Sequence, residues 1–121
     1  MIPSKVNLAD KFSLFTEHWS PKVVAEVNDS LVKLVKFQGE FVWHHHDEED
    51  ELFFVLSGNI RIELPDGVIR LNAGELVVIP KGLEHRPVAD EEAAVLLFEP
   101  KTTLNTGNVL NERTRERLDS I

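Results

Sequence analysis

From residue 23 to residue 99 the chain alternates between short apolar bursts and clusters of turn residues. The bursts are Val23–Val27, Leu31–Phe37, Phe41–His46, Glu51–Leu56, Ile60–Leu64, Val68–Leu71, Leu76–Ile79 and Val95–Phe98. The breaks between them carry Asn28-Asp29, Gly39, Asp47 to Asp50, Ser57-Gly58-Asn59, Pro65-Asp66-Gly67, Asn72-Ala73-Gly74 and Pro80-Lys81-Gly82. Runs of this length, rich in β-branched and aromatic residues and evenly spaced, predict an all-β sandwich or barrel rather than βαβ units. Ahead of them, Asn7 stands as an N-cap before Leu8, Phe12 and Phe15 at helical spacing, which predicts a short N-terminal helix. Ser20-Pro21 ends whatever precedes it.

Two strands depart from simple alternation. In Leu52-Phe53-Phe54-Val55-Leu56 both faces are apolar, so one lines an interior and the other needs a second cover, either a sheet or a partner chain. Leu31 to Phe37 is nearly as apolar but carries Lys33 and Lys36, which reads most simply as an edge strand. Beyond residue 100 the sequence turns polar. Asn105 to Asn108 predicts a turn, and Asn111 to Arg117 is either a final helix or a frayed end. The expected organisation is a helical arm over 1–20, a barrel over 21–100 and a polar tail over 101–121.

Composition narrows the function. The net charge of −8 argues against a nucleic-acid partner or an anionic membrane surface, and favours a small-molecule ligand. No apolar run approaches the length of a membrane span, and the first residues lack a leader-like stretch. With no cysteine there is neither a disulfide nor a thiolate metal site, and the expected location is the cytoplasm.

The chemistry concentrates in Trp43-His44-His45-His46-Asp47-Glu48-Glu49-Asp50-Glu51. On an extended backbone His44 and His46 share a face and His45 points away. Imidazoles two residues apart can lean onto one ion at about 2.0–2.2 Å. Glu51 opens the next strand after a tight acidic turn, and His85, after Pro80-Lys81-Gly82, is the obvious fourth ligand. Asp50 is the nearest rival to Glu51, and the other acidic residues of the turn read as solvated.

These two segments resemble the paired motifs of the cupin superfamily. The first motif of that family runs Gly, five residues, His-x-His, three or four residues, Glu, six residues, Gly. Here Gly39, His44, His46, Glu51 and Gly58 follow it with the first glycine one residue close. The second motif runs Gly, five residues, Pro-x-Gly, two residues, His, three residues, Asn. It is matched by Gly74, Pro80, Gly82 and His85, with Ala89 in place of the asparagine. The resemblance implies a jelly-roll barrel (double-stranded β-helix), often a homodimer, holding one divalent metal through His44, His46, Glu51 and His85. A partner chain would then cover the second apolar face of Leu52–Leu56.

Nitrogen and oxygen ligands without thiolate suit Mn, Fe, Co, Ni, Cu or Zn. Three neutral imidazoles and one carboxylate leave a local charge of about +1 on the ion. The chemistry expected is isomerase, cyclase or oxygenase action on a small metabolite that chelates through two oxygens. A binding or sensing module without turnover, and a purely structural ion, are the alternatives. His18 and Trp19 either cap the barrel mouth or pack the arm. Arg86 and Trp43 read as structural, Trp43 in the core or at a dimer contact.

Overall fold

The computed structural model describes residues 1–121. One short helix, α1 (Leu8–Phe12), precedes seven strands: β1 (Lys22–Val27), β2 (Ser30–Glu40), β3 (Glu51–Ser57), β4 (Asn59–Leu64), β5 (Gly67–Asn72), β6 (Leu76–Ile79) and β7 (Arg86–Pro100). The helix starts where the Asn7 side chain accepts a hydrogen bond from the Asp10 N–H. It stops after little more than one turn because it buries no side chain. No helix is long and apolar enough to cross a membrane.

All strand pairs are antiparallel, in the order β1-β2-β7-β3-β6, with β4 joining both β5 and β7. β7 is the hinge of the jelly roll. Its first residues pair with β4 and the end of β2, and residues 94–98 lie between β2 and β3. The acidic run Asp90-Glu91-Glu92 breaks the hydropathy pattern, so the sequence predicts only Val95–Phe98. The backbone continues because the residues on either side of the run pair with β2 and β4, while those three side chains stay in solvent. Inside, Val35, Phe37, Phe53, Val55, Ile60, Ile62, Val95 and Leu97 form the core. Full burial of side chains of this kind contributes about 1.5–3 kcal/mol each.

Three expectations are corrected. β2 is not an edge strand: it lies between β1 and β7, and Lys33 is almost wholly buried. A lysine is tolerated there because its Nζ lies 2.9 Å from Glu99 Oε1, itself buried. Phe41–His46 is not a continuous strand either. Only His44 bridges, to His85, through paired N–H···O bonds of 3.0 and 2.9 Å, since the proline turn offers one residue to pair with. Finally, Asn111 to Arg117 is neither helix nor frayed end. Turns there are tied by Asn105 and Asn111 side chains, and the last residues dock on β1 through Val23 N–H to Asp119 O and Ile121 N–H to Val23 O.

Gly58 joins β3 to β4 with φ +80°, and a Cβ there would sit 3.0 Å from the Glu92 carbonyl oxygen. Only glycine meets both demands.

Candidate metal centre

The irregular segment after β2 carries His44 and His46 inward, both buried, while His45 turns outward. The His45 ring lies 2.9 Å from both Glu84 and Asp47, and the bond to Glu84, then that to Asp47, raise its pKa. Glu51 enters at the first residue of β3, and His85 immediately precedes β7. Ligating atoms of His44, His46, Glu51 and His85 all lie within 4.8 Å of one another, and all four residues are buried. Asp50, the rival carboxylate, is exposed and accepts the Lys81 N–H instead.

The donor set fits a metal ion. His44 Nδ1 lies 2.8 Å from the Val42 carbonyl, and His85 Nδ1 lies 2.8 Å from the Leu83 carbonyl. Donation to those oxygens fixes both tautomers and turns each Nε2 lone pair inward, the usual outer support of a ligating histidine. The buried His46 Nδ1 and Nε2, Glu51 Oε1 and His85 Nε2 have no hydrogen-bond partner. Glu51 Oε1 stands 3.3 Å from His46 Nε2 and 3.4 Å from His85 Nε2, contacts without hydrogen-bond geometry. Leaving several buried polar atoms unpaired costs about 1–3 kcal/mol each, so the arrangement calls for a shared cation among them.

Charge in the site is graded. Burial, and next the neighbouring His85, push the His44 pKa down to about 4. Burial pushes the Glu51 carboxyl up, but the His46 and His85 rings and Glu99 outweigh it and hold it well below the carboxylate range. Burial, then the Glu51 charge, push Glu99 well up, against the pull of Lys33. Of the two carboxyls Glu51 is therefore the one that gives up its proton more readily, ready to ligate.

A consequence is testable in the metal-free protein. The unfolded chain takes up a proton on His44 near pH 6.5, whereas the folded site resists until about 4. Stability from this group is complete above 6.5 and is lost as the pH falls towards 4, in total about 3 kcal/mol. Urea unfolding at pH 7 and pH 4.5 reads it, and His44→Gln flattens the slope in that window. An equal slope in the variant would mean that His44 does not set it.

An apolar cleft of about 340 Å³, including its open mouth, leads to this cluster. Trp19, Val35, Phe37, Phe41, Phe53 and Leu97 wall it, and His44 and Glu51 are the only titratable groups that line it. Trp19 adopts φ +59°, an unusual backbone for an aromatic residue. Its N–H and Nε1–H donate to the Lys36 and Gln38 carbonyls, at 2.9 and 2.8 Å, and its ring stacks on Phe37 and Phe41. Trp19 is thus part of the cleft, whereas its neighbour His18 lies outside on Glu92 at 2.7 Å. Arg86 binds Glu63 and Glu40, and its guanidinium lies over the Trp43 ring, which is 38% exposed and outside the core.

Sequence reasoning missed the contribution of the last twenty residues. Gly107 presses on the histidine segment so closely that a Cβ would lie 2.2 Å from the His45 carbonyl oxygen. Asn108 accepts the His45 N–H on its side chain, and Asn105 lines the cleft. Only the turn signal at Asn105–Asn108 hinted at these positions, and nothing in it said where the turn would land.

Comparison with known proteins agrees with this fold. The cupin domain family profile matches residues 31–99. Among solved structures, a cupin-2 domain containing protein from Shewanella frigidimarina is 54% identical, with a TM-score of 0.79 over 79% of this chain and 94% of that one. The uncharacterized protein YdbB of Bacillus subtilis is 47% identical over 64 residues, 52% of this chain and 57% of that protein. An acireductone dioxygenase of Phaeosphaeria nodorum is 34% identical over 104 residues, 77% of this chain and 56% of that enzyme. The chain spans little more than half the length of these two curated relatives.

Proposed function

This chain belongs to the cupin domain family, and on that footing we propose that it is a metal-dependent oxygenase acting on a small metabolite that chelates through two oxygens. The observation that carries the proposal is the convergence of four buried side chains, with ligating atoms of His46, Glu51 and His85 unpaired, at the inner end of an apolar cleft. His44, His46, Glu51 and His85 would hold one divalent ion. When bound, such an ion polarises an oxygen ligand and, if it is iron or manganese, gives access to dioxygen.

The chain's own residues do the rest. The Val42 and Leu83 carbonyls hold two rings in register, and the aromatic walls exclude bulk water from the reacting end. Glu51 or a metal-bound hydroxide could serve isomerase or cyclase chemistry by proton transfer, which otherwise needs a base that is not a ligand. No such group lines the cleft, where the titratable side chains are His44 and Glu51. That favours oxygenation, and the likeness to an acireductone dioxygenase points the same way. The same lack of a base keeps a non-catalytic binding module as the second reading.

Oxygen-electrode measurements on protein loaded with Fe(II) or Mn(II), against a panel of enediols and catechols, decide between them. Metal-dependent uptake that disappears in His85→Ala supports the oxygenase. Tight binding of a chelating compound with no uptake under either metal supports the binding module.

We further propose a homodimer. The outer face of β3, β6 and β7 presents Leu52, Phe54, Leu96 and Phe98 half-buried beside Leu76 and Val78, which are 56% and 49% exposed. An apolar stripe along an edge strand calls for a cover. Light scattering is expected to give twice the 13.8 kDa chain mass, and Leu76→Asp to give the monomer. A monomeric wild type would refute the dimer.

A further inference from the structure

The C-terminal segment places an arginine beside two of the rings that wall the cleft, and no carboxylate of the protein pairs with it. Arg113 Cζ lies 5.9 Å from the Trp19 ring centre and 5.8 Å from that of Phe41, and these two rings stack on each other at 4.9 Å. Its backbone is held firmly. Asn111 Oδ1 accepts the Arg113 N–H, the Asn105 side-chain amide donates to the Arg113 carbonyl, and Asn105 Oδ1 accepts the Arg115 N–H. Thr106 and Thr114 hydroxyls, 2.7 Å apart, brace the same turn, and Thr106 is fully buried. Yet no carboxylate lies within 4 Å of the Arg113 guanidinium, in a chain whose acidic residues outnumber its basic ones 21 to 13. Arg61 and Arg86 each pair with two. A half-buried guanidinium keeps most of its fork of donors free here, on an ordered backbone beside a cleft.

Phe41 links this cation to the metal centre, since its ring also lies 5.5 Å from that of His44. We propose that Arg113 is the anion-recognition residue of the cleft, and that the substrate is a planar unsaturated carboxylate. Its ring lies in the cleft against the wall that Trp19, Phe37 and Phe41 form, its carboxylate pairs with Arg113, and its two vicinal oxygens face the His44, His46, Glu51 and His85 cluster. This rests on the proposed metal centre and names the substrate class for it. The aromatic walls select flatness, and the guanidinium selects a carboxylate through a two-pronged, charge-assisted pair. The general acidity of the surface does not forbid this, because the selecting charge is local.

The test uses redox-inert zinc-loaded protein carrying Trp43→Phe, so that Trp19 is the sole fluorophore. The probes are 3,4-dihydroxybenzoate and catechol, which share the chelating oxygens and differ in the carboxylate. Quenching titrations are expected to show the carboxylate probe binding at least about ten-fold tighter, a preference that Arg113→Met reduces to about one. Catechol affinity should stay as in the parent. Arg113→Gln serves as the second truncation should the first fail to fold, and Arg113→Lys should restore part of the preference. Equal affinity of the parent for the two probes, or an undiminished preference in the truncated variants, overturns the proposal. Elemental analysis of zinc reads the metal centre separately. Full zinc without discrimination removes this inference alone, and discrimination without zinc removes the metal reading alone.

Discussion

His46→Ala and His85→Ala proteins, purified without a polyhistidine tag, are expected to carry less than about a tenth of the divalent metal found in the parent. Each substitution deletes a donor from a set of four and leaves a void, and the buried carboxylate nearest to it, Glu99, is already held by Lys33. Losing even an outer support of a metal site commonly weakens affinity 10- to 100-fold, and losing a ligand costs more. Both imidazoles are buried, so the folded variants gain a cavity as well, and melting temperatures must be recorded alongside metal content. The informative control is His45→Ala, adjacent in sequence but paired with Glu84 and Asp47, which should retain full metal. A full complement in both His46→Ala and His85→Ala would remove the site as drawn.

Lys33→Met is expected to be the most damaging single change to stability among those outside the site. It leaves Glu99 buried beside Glu51 with no cation. Breaking one partner of a buried pair typically costs about 3–5 kcal/mol, roughly 10 °C or more in melting temperature for a domain of this size. The sign of the pH dependence is fixed. Glu99 already titrates above its unfolded value, for reasons of burial and the Glu51 charge, and Lys33 opposes that rise. Without Lys33 the carboxyl resists ionisation further, so the penalty grows as the pH rises and shrinks towards pH 5. Replacing both residues, Lys33→Met with Glu99→Met, should recover most of the loss, because neither charge is then stranded. A single variant within about 1 kcal/mol of the parent at pH 8 would show that the pair bears little on stability. The double variant also tests whether Glu99 helps to aim Glu51, through its metal affinity.

Much of the site can be read from the sequence because its parts are local. Period-two alternation sends His44 and His46 one way and His45 the other, and the structure keeps that division although the segment is not a regular strand. The motif spacing from Gly39 to His85 likewise carries Glu51 and His85, since the turns between them are short and stiff. What fails is anything decided by a partner far along the chain. Lys33 looked like an edge residue because its salt-bridge partner is 66 positions away. β7 was cut short because exposed acidic residues hide a strand whose pairing comes from β2 and β4.

The sequence by itself determined the class of fold and the short first helix through side-chain period and turn chemistry, and the four candidate ligands through the resemblance of its two segments to paired motifs. The tertiary structure alone decided that Asn105 of the C-terminal segment lines the cleft, that Trp19 forms its wall and that Arg113 lies beside the Trp19 and Phe41 rings. The physical reason is that a polar segment carries no period to show where it docks. Its position is set by single hydrogen bonds and by the one gap, beneath Gly107, that admits no side chain.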